Sequence, residues 1–142
     1  MKFVLDTNVI FSALYDFESP AGKLLAMAIE KKVELASPVH VKEELVKILR
    51  EKLEYTHDEI RETIAALPVA WVEEDIYVHT IKEAKEAISH EEDAPVVACA
   101  MALECDVISG DKHFHTLRKP VIKVWRLKSL KKFTTRKFSK NF

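Results

Sequence analysis

Four acids, Asp6, Glu44, Asp93 and Asp111, are the residues whose types and settings could do chemistry together. Each falls next to an apolar segment, where a strand or helix would present it at a rim. Four carboxylates brought to one place would repel. At about 4 Å and an effective dielectric near 20, two unit charges repel by roughly 4 kcal/mol. A divalent cation relieves that cost, and an oxygen-only donor set selects Mg²⁺ or Mn²⁺ over zinc, as one or two ions. A cation so held activates a water for hydrolysis and stabilises charge on a phosphoryl group. Taken singly, every one of the four has an ordinary structural role. Asp6 can end a strand, Glu44 is a helix glutamate beside Glu43, Asp93 can cap a helix, and Asp111 sits in a Gly-Asp turn. Only their joint placement argues for a site.

Other chemistries find little support. Two glycines cannot supply a GxGxxG or Walker loop. Cys99 and Cys105 are not a CxxC pair and read as two buried thiols. His113 and His115 alternate, but no Cys or third His stands nearby at zinc spacing.

The elements that must position the acids alternate between strand and helix patterns. This predicts an α/β protein, a three-layer α/β/α arrangement around a central parallel sheet of about five strands. Lys2 to Leu5 reads as a buried central strand ending at Asp6. Ser19-Pro20 and Ser37-Pro38 read as two helix starts, with serine as cap and proline in the first turn. The first of these helices turns Leu24, Leu25, Ala28 and Ile29 inward; the second turns in Val41, Leu45, Ile48, Leu49 and Leu53. Thr56-His57-Asp58-Glu59 has the form of a capping box. Glu34–Ala36, Val69–Val72, Asp106–Ser109 and Val121–Trp125 read as the second to fifth strands. The apolar run 96–103 predicts a deeply packed helix.

Ligands of open α/β sheets bind beyond the carboxyl ends of the strands. Asp6 and Asp111 follow two strands and fall at that edge. Asp93 opens a helix that runs antiparallel to the strand it feeds, so its N-terminus returns to the same edge. Glu44 lies about 10 Å into the helix after the second strand, within reach because helical side chains lean toward the N-terminus.

The net charge of −1 hides an asymmetry. Residues 1–117 carry 23 acids and 12 bases, whereas residues 118–142 carry 10 bases and no acid. The division suggested is one domain over 1–128 and a basic tail over 129–142, suited to a polyanion or an acidic partner. No apolar run is long enough to span a bilayer. With an acid at position 6 there is no signal-peptide pattern, and a cytoplasmic protein is expected.

The residues resemble a known family at four places. Asp6-Thr7-Asn8-Val9-Ile10 resembles the opening motif of PIN domains, and Ser37-Pro38 followed by Glu43-Glu44-Leu45 resembles the second. Glu92-Asp93-Ala94-Pro95-Val96-Val97-Ala98 resembles the third, an acid opening an alanine-rich helix. Ile108-Ser109-Gly110-Asp111-Lys112-His113-Phe114 resembles the fourth. One departure is His113, where many relatives carry a second acid.

The resemblance implies metal-dependent cleavage of RNA, mostly single-stranded, with Asp6, Glu44, Asp93 and Asp111 as catalytic and metal-holding residues. Thr7, Asn8 and Ser109 would orient them. Apart from the resemblance, Lys112, Arg118 and Lys119 lie close in sequence to Asp111 and are candidate substrate contacts, joined by Lys123, Arg126, Lys128, Lys131 and Lys132. Trp125, Phe133 and Phe138 interleave with them as candidate stacking rings, although Trp125 reads first as a core or dimer contact. Relatives include toxins of toxin–antitoxin pairs, so an antitoxin protein and a homodimer are expected partners. Two rivals stand beside this. One is a non-catalytic RNA- or protein-binding module of the same shape. The other is a haloacid-dehalogenase-like phosphatase with Asp6 as nucleophile, which lacks the usual second Asp because Asn8 holds that place.

Overall fold

A computed structural model describes residues 1–129, though not the side chains of Lys112 and His113. The expectations placed on Leu130–Phe142, Lys131, Lys132, Phe133 and Phe138 among them, lie outside the described residues.

Five parallel strands form one sheet in the order β3-β2-β1-β4-β5. They are β1 (Lys2–Leu5), β2 (Glu34–Pro38), β3 (Ala70–Val72), β4 (Asp106–Ile108) and β5 (Val124–Trp125). β1 is central, and its Phe3, Val4 and Leu5 are at most 2% exposed, as a strand covered on both faces requires. Between β1 and β2 run α1 (Thr7–Tyr15) and α2 (Pro20–Ile29); between β2 and β3 run α3 (Val39–Glu51) and α4 (His57–Ala66). The return from β3 to β4 carries α5 (Glu74–Tyr77), α6 (Ile81–Ala87) and α7 (Ala94–Leu103). The chain steps one way through β1, β2 and β3 and the other way to β4. Right-handed crossovers therefore put α1–α4 on one face and α5–α7 on the other, giving the three layers.

The strand order sends the carboxyl ends of all five strands to one edge, where the acids were expected. β3 and β5 close the sheet as edges. β5 is shorter than the predicted Val121–Trp125, because Pro120 precedes it and only Val124 and Trp125 pair with β4. Trp125 is half-buried there, with its indole N–H donating to Asp106 at 2.8 Å and Lys123 over its ring.

The capping readings divide. Ser19 caps α2, accepting from the Gly22 N–H, and Thr56 with Glu59 completes the capping box of α4. Ser37 does not cap α3. It is the penultimate residue of β2, fully buried, and its hydroxyl donates to the Leu5 carbonyl at 2.8 Å. That bond ties the ends of β1 and β2 together and leaves α3 to begin without a side-chain cap. Ile29 also departs from expectation: it ends α2 and is 59% exposed, while Leu24 and Leu25 are buried. α7 fulfils its pattern, with Ala94 and Val96 through Ala100 all buried. No helix among the described residues is long and apolar enough to cross a membrane.

Candidate active site

β1 ends at Leu5, and the next residue must both leave the sheet and start a helix. Asp6 does this as the N-cap of α1, with its Oδ1 accepting from the Val9 N–H at 3.0 Å. The helix itself, Thr7–Tyr15, is missing from the sequence reading, which took this stretch as motif rather than element. Asp6 is only 5% exposed. Its second oxygen accepts a short hydrogen bond from the hydroxyl of Ser109, which is fully buried at the end of β4. The same Ser109 oxygen accepts from the Asp111 N–H at 2.9 Å. A single buried serine thus links the ends of β1 and β4 and sets the turn that carries Asp111. His115 completes the turn by donating from Nε2 to the Ser109 carbonyl at 3.1 Å.

Glu44 arrives from the other side. It stands on α3, and its Oε2 accepts from the Thr7 hydroxyl at 3.1 Å. Thr7 is the residue after Asp6, so α1 and α3 bring the two carboxyls to neighbouring places. The other oxygen, Oε1, lies 2.6 Å from Nε2 of His40, one turn earlier on α3. That approach is close but off the line of a hydrogen bond, and the buried His40 Nε2 has no other hydrogen-bond partner. A small rotation of either side chain would align the pair. His40 escaped sequence reasoning. The signal was its position four residues before the glutamate, where two helical side chains meet.

Electrostatics follow from this geometry. Burial, above all, pushes the Asp6 carboxyl above its ordinary range. The hydrogen bonds from Ser109 and Val9 pull it back, and the charges of Asp111 and Glu44 push it up again. Three of the four predicted acids are therefore coupled directly. Asp93 is half-buried at the cap position of α7, with no side-chain cap hydrogen bond. Its neighbours Glu92 and Pro95 share with His40 and Glu43 a cleft of about 320 Å³. The start of α7 thus faces the start of α3.

Of the remaining predicted residues, Thr7 and Ser109 bond to the acids as described, and Asn8 is exposed on α1. Arg118 and Lys119 are exposed; Lys119 pairs with Glu86 of α6 at 3.3 Å, and the Arg118 N–H donates to the Ala87 carbonyl. The side chains of Lys112 and His113 are outside the described set. Cys99 is buried and Cys105 half-buried, both free, with burial pushing their thiols up to about 12 and about 11. They are inert rather than nucleophilic.

The donor set suits a hard divalent cation. It is oxygen-only, it includes a desolvated carboxyl, and the neighbouring acids load that carboxyl with like charge. Among the described residues, however, no three His, Cys, Asp or Glu side chains stand close enough to form a ready-made cage. The fit is one of chemistry, with the side chains spread wider than coordination needs.

Fold and site together define a parallel α/β protein with a carboxylate site at the carboxyl edge of its central strands. The PIN domain family model matches residues 4–133, and the chain belongs to that family. No curated protein matches it in sequence. Solved structures match in fold. VapBC2 from Rickettsia felis, bound to a DNA fragment from its promoter, is similar at TM-score 0.64 and 17% identity, over 89% of this chain and 98% of that one. DNA-bound VapBC from Salmonella typhimurium is similar at 0.62 and 14%, with the same coverage. A toxin–antitoxin complex from Klebsiella pneumoniae is similar at 0.55 and 18%, over 84% and 94%.

Proposed function

We propose that the chain is a Mg²⁺- or Mn²⁺-dependent ribonuclease that hydrolyses mostly single-stranded RNA, and that it is the toxin of a toxin–antitoxin pair. The observation that carries the nuclease reading is Asp6. It is a buried carboxyl, bonded by Ser109 and Val9 and loaded by Asp111 and Glu44. Leaving such a group charged with no counter-ion is costly, and a cation against it removes the cost. The toxin reading draws on the structural neighbours, which are toxin–antitoxin complexes.

In this proposal Asp6, Glu44, Asp93 and Asp111 would hold the cation. When bound, the cation supplies a water of lowered pKa and neutralises charge on the phosphoryl oxygens. The chain's own work is orientation. Ser109 and the Val9 N–H fix both oxygens of Asp6, each keeping a free lone pair. Thr7 donates to one oxygen of Glu44, and His40 stands 2.6 Å from the other. Asn8, in the place of the usual second Asp, disfavours a phosphatase that uses Asp6 as covalent nucleophile.

The non-catalytic module remains a second reading on one observation, the absence of a ready-made cage among the described residues. Purified protein with Mn²⁺ and end-labelled single-stranded RNA, beside Asp6→Asn, separates the two. Cleavage by the parent and at least hundredfold less by the variant supports the nuclease. Equal cleavage by both, or none by either across varied RNAs, sinks it.

A further inference from the structure

On the face of the sheet that carries α3 and α4, a groove of about 510 Å³ runs between these helices and the edge strand β3. Its charged lining is all of one sign: Lys42 and Arg50 from α3, Arg61 from α4, and His57 at the start of α4. No acid lines it, although residues 1–117 hold 23 acids against 12 bases. Arg61 is shared with Asp58, an exposed pair that contributes little. The remainder of the lining is apolar, including Val46, Ile60, Ile64, Val69 and Trp71. Lys42, Val46 and Arg50 follow one another at four-residue spacing, so α3 presents basic, apolar and basic side chains in a row.

We infer that this groove docks an acidic segment of a partner protein in which carboxylates alternate with large apolar side chains. Charge complementarity selects the sign of the partner. The apolar floor selects protein over RNA, because it offers aliphatic surface and a single aromatic ring rather than a series of stacking platforms. A second copy of this chain is disfavoured, since a self-complementary contact here would set Lys42, Arg50 and Arg61 against the same three cations. β3 is an edge strand, so its outer backbone groups border the groove and can pair with an extended segment. The inference goes beyond the nuclease reading and does not depend on it. Of the groove, Lys42 and Val46 stand within two residues of Glu44, but neither Glu44 nor His40 lines it.

The test uses the full chain and a fluorescein-labelled 14-residue peptide of Leu and Phe interspersed with Asp and Glu. Three comparison probes are the same peptide with Lys replacing the acids, a 14-nucleotide single-stranded RNA, and the double variant Lys42→Glu, Arg50→Glu, checked for folding by circular dichroism. The expected result is saturable binding of the acidic peptide, at least tenfold weaker binding of the lysine peptide, and at least tenfold loss in the variant. No binding of the acidic peptide overturns the inference. So does equal binding to parent and variant, which would place the peptide on the basic tail. RNA binding that is lost in the variant while peptide binding is not, or concentration-dependent self-association abolished by the variant, also overturns it. Because these readouts involve neither cleavage nor metal, their failure is distinguishable from failure of the nuclease proposal.

Discussion

One helix, α3, serves two different surfaces, and the contrast between them shows how the fold separates tasks. Its buried stripe, Val41, Leu45 and Leu49, is at most 1% exposed and anchors it to the sheet. On one side of that stripe, His40 and Glu44 face Thr7 and the carboxylate rim. On another, Lys42, Val46 and Arg50 line the apolar, basic groove. The rim spends stability to hold like charges close and partly dry. The groove holds like charges too, but with Arg50 and Arg61 exposed and Lys42 half-exposed around apolar surface, where solvent screens them. The rim is organised by a few hydrogen bonds of fixed geometry, the groove by shape and sign.

The largest effect that breaks this separation is on cleavage. Asp6→Asn and Glu44→Gln should each lower the RNA cleavage rate by at least about a hundredfold, as loss of charge at a catalytic cation site does. Lys47→Ala, exposed on α3 and part of neither surface, should leave the rate within about twofold. Next comes the shared anchor. Leu45→Ala, fully buried, should cost about 2–5 kcal/mol in urea unfolding and weaken both surfaces together. A smaller effect sharpens the rim alone. His40→Ala should lower cleavage about tenfold through the mobility of Glu44, and His40→Gln should recover most of it. Equal loss in both variants would show that His40 does more than position.

The smallest effect is one of sign. Folding raises the Asp6 carboxyl above its ordinary 3.8, chiefly by burial, so folding favours the protonated form. That contribution is full below 3.8 and is lost as pH rises through the raised value. Without divalent cation, Asp6→Asn should therefore melt higher than the parent at neutral pH, and the difference should shrink as pH falls toward 4. A variant that melts lower at every pH would mean that burial is not the dominant cause.

Much of this was legible from residue patterns, and what was not has specific causes. The five strands, the parallel sheet and the deeply packed α7 follow from apolar runs that alternate with helical periodicity. Asp6, Glu44 and Asp111 could be set at one edge because chain direction alone decides where parallel strands end. Ser37 was misjudged because Ser-Pro before an amphipathic helix is a cap signal in local terms, while the buried Leu5 carbonyl is a partner that only the sheet supplies. α1 was missed although Val9, Ile10 and Ala13 give it a buried stripe at helical spacing: the stretch is only nine residues long and follows directly on the apolar strand β1. The Ser109 link between Asp6 and Asp111 spans 103 residues and has no local signal beyond the motif it belongs to. Lys119 was placed by its nearness to Asp111 in sequence, whereas its exposed pair with Glu86, 33 residues away, has no local signal.

The most direct test of the central claim is calorimetric titration of the metal-free protein with Mn²⁺, parent beside Glu44→Gln, Asp93→Asn and Asp111→Asn. Saturable binding by the parent, weakened at least about tenfold in each variant, is the outcome predicted when four distant acids share one cation. Binding that all three variants leave unchanged, or no binding by the parent at millimolar Mn²⁺, would contradict it.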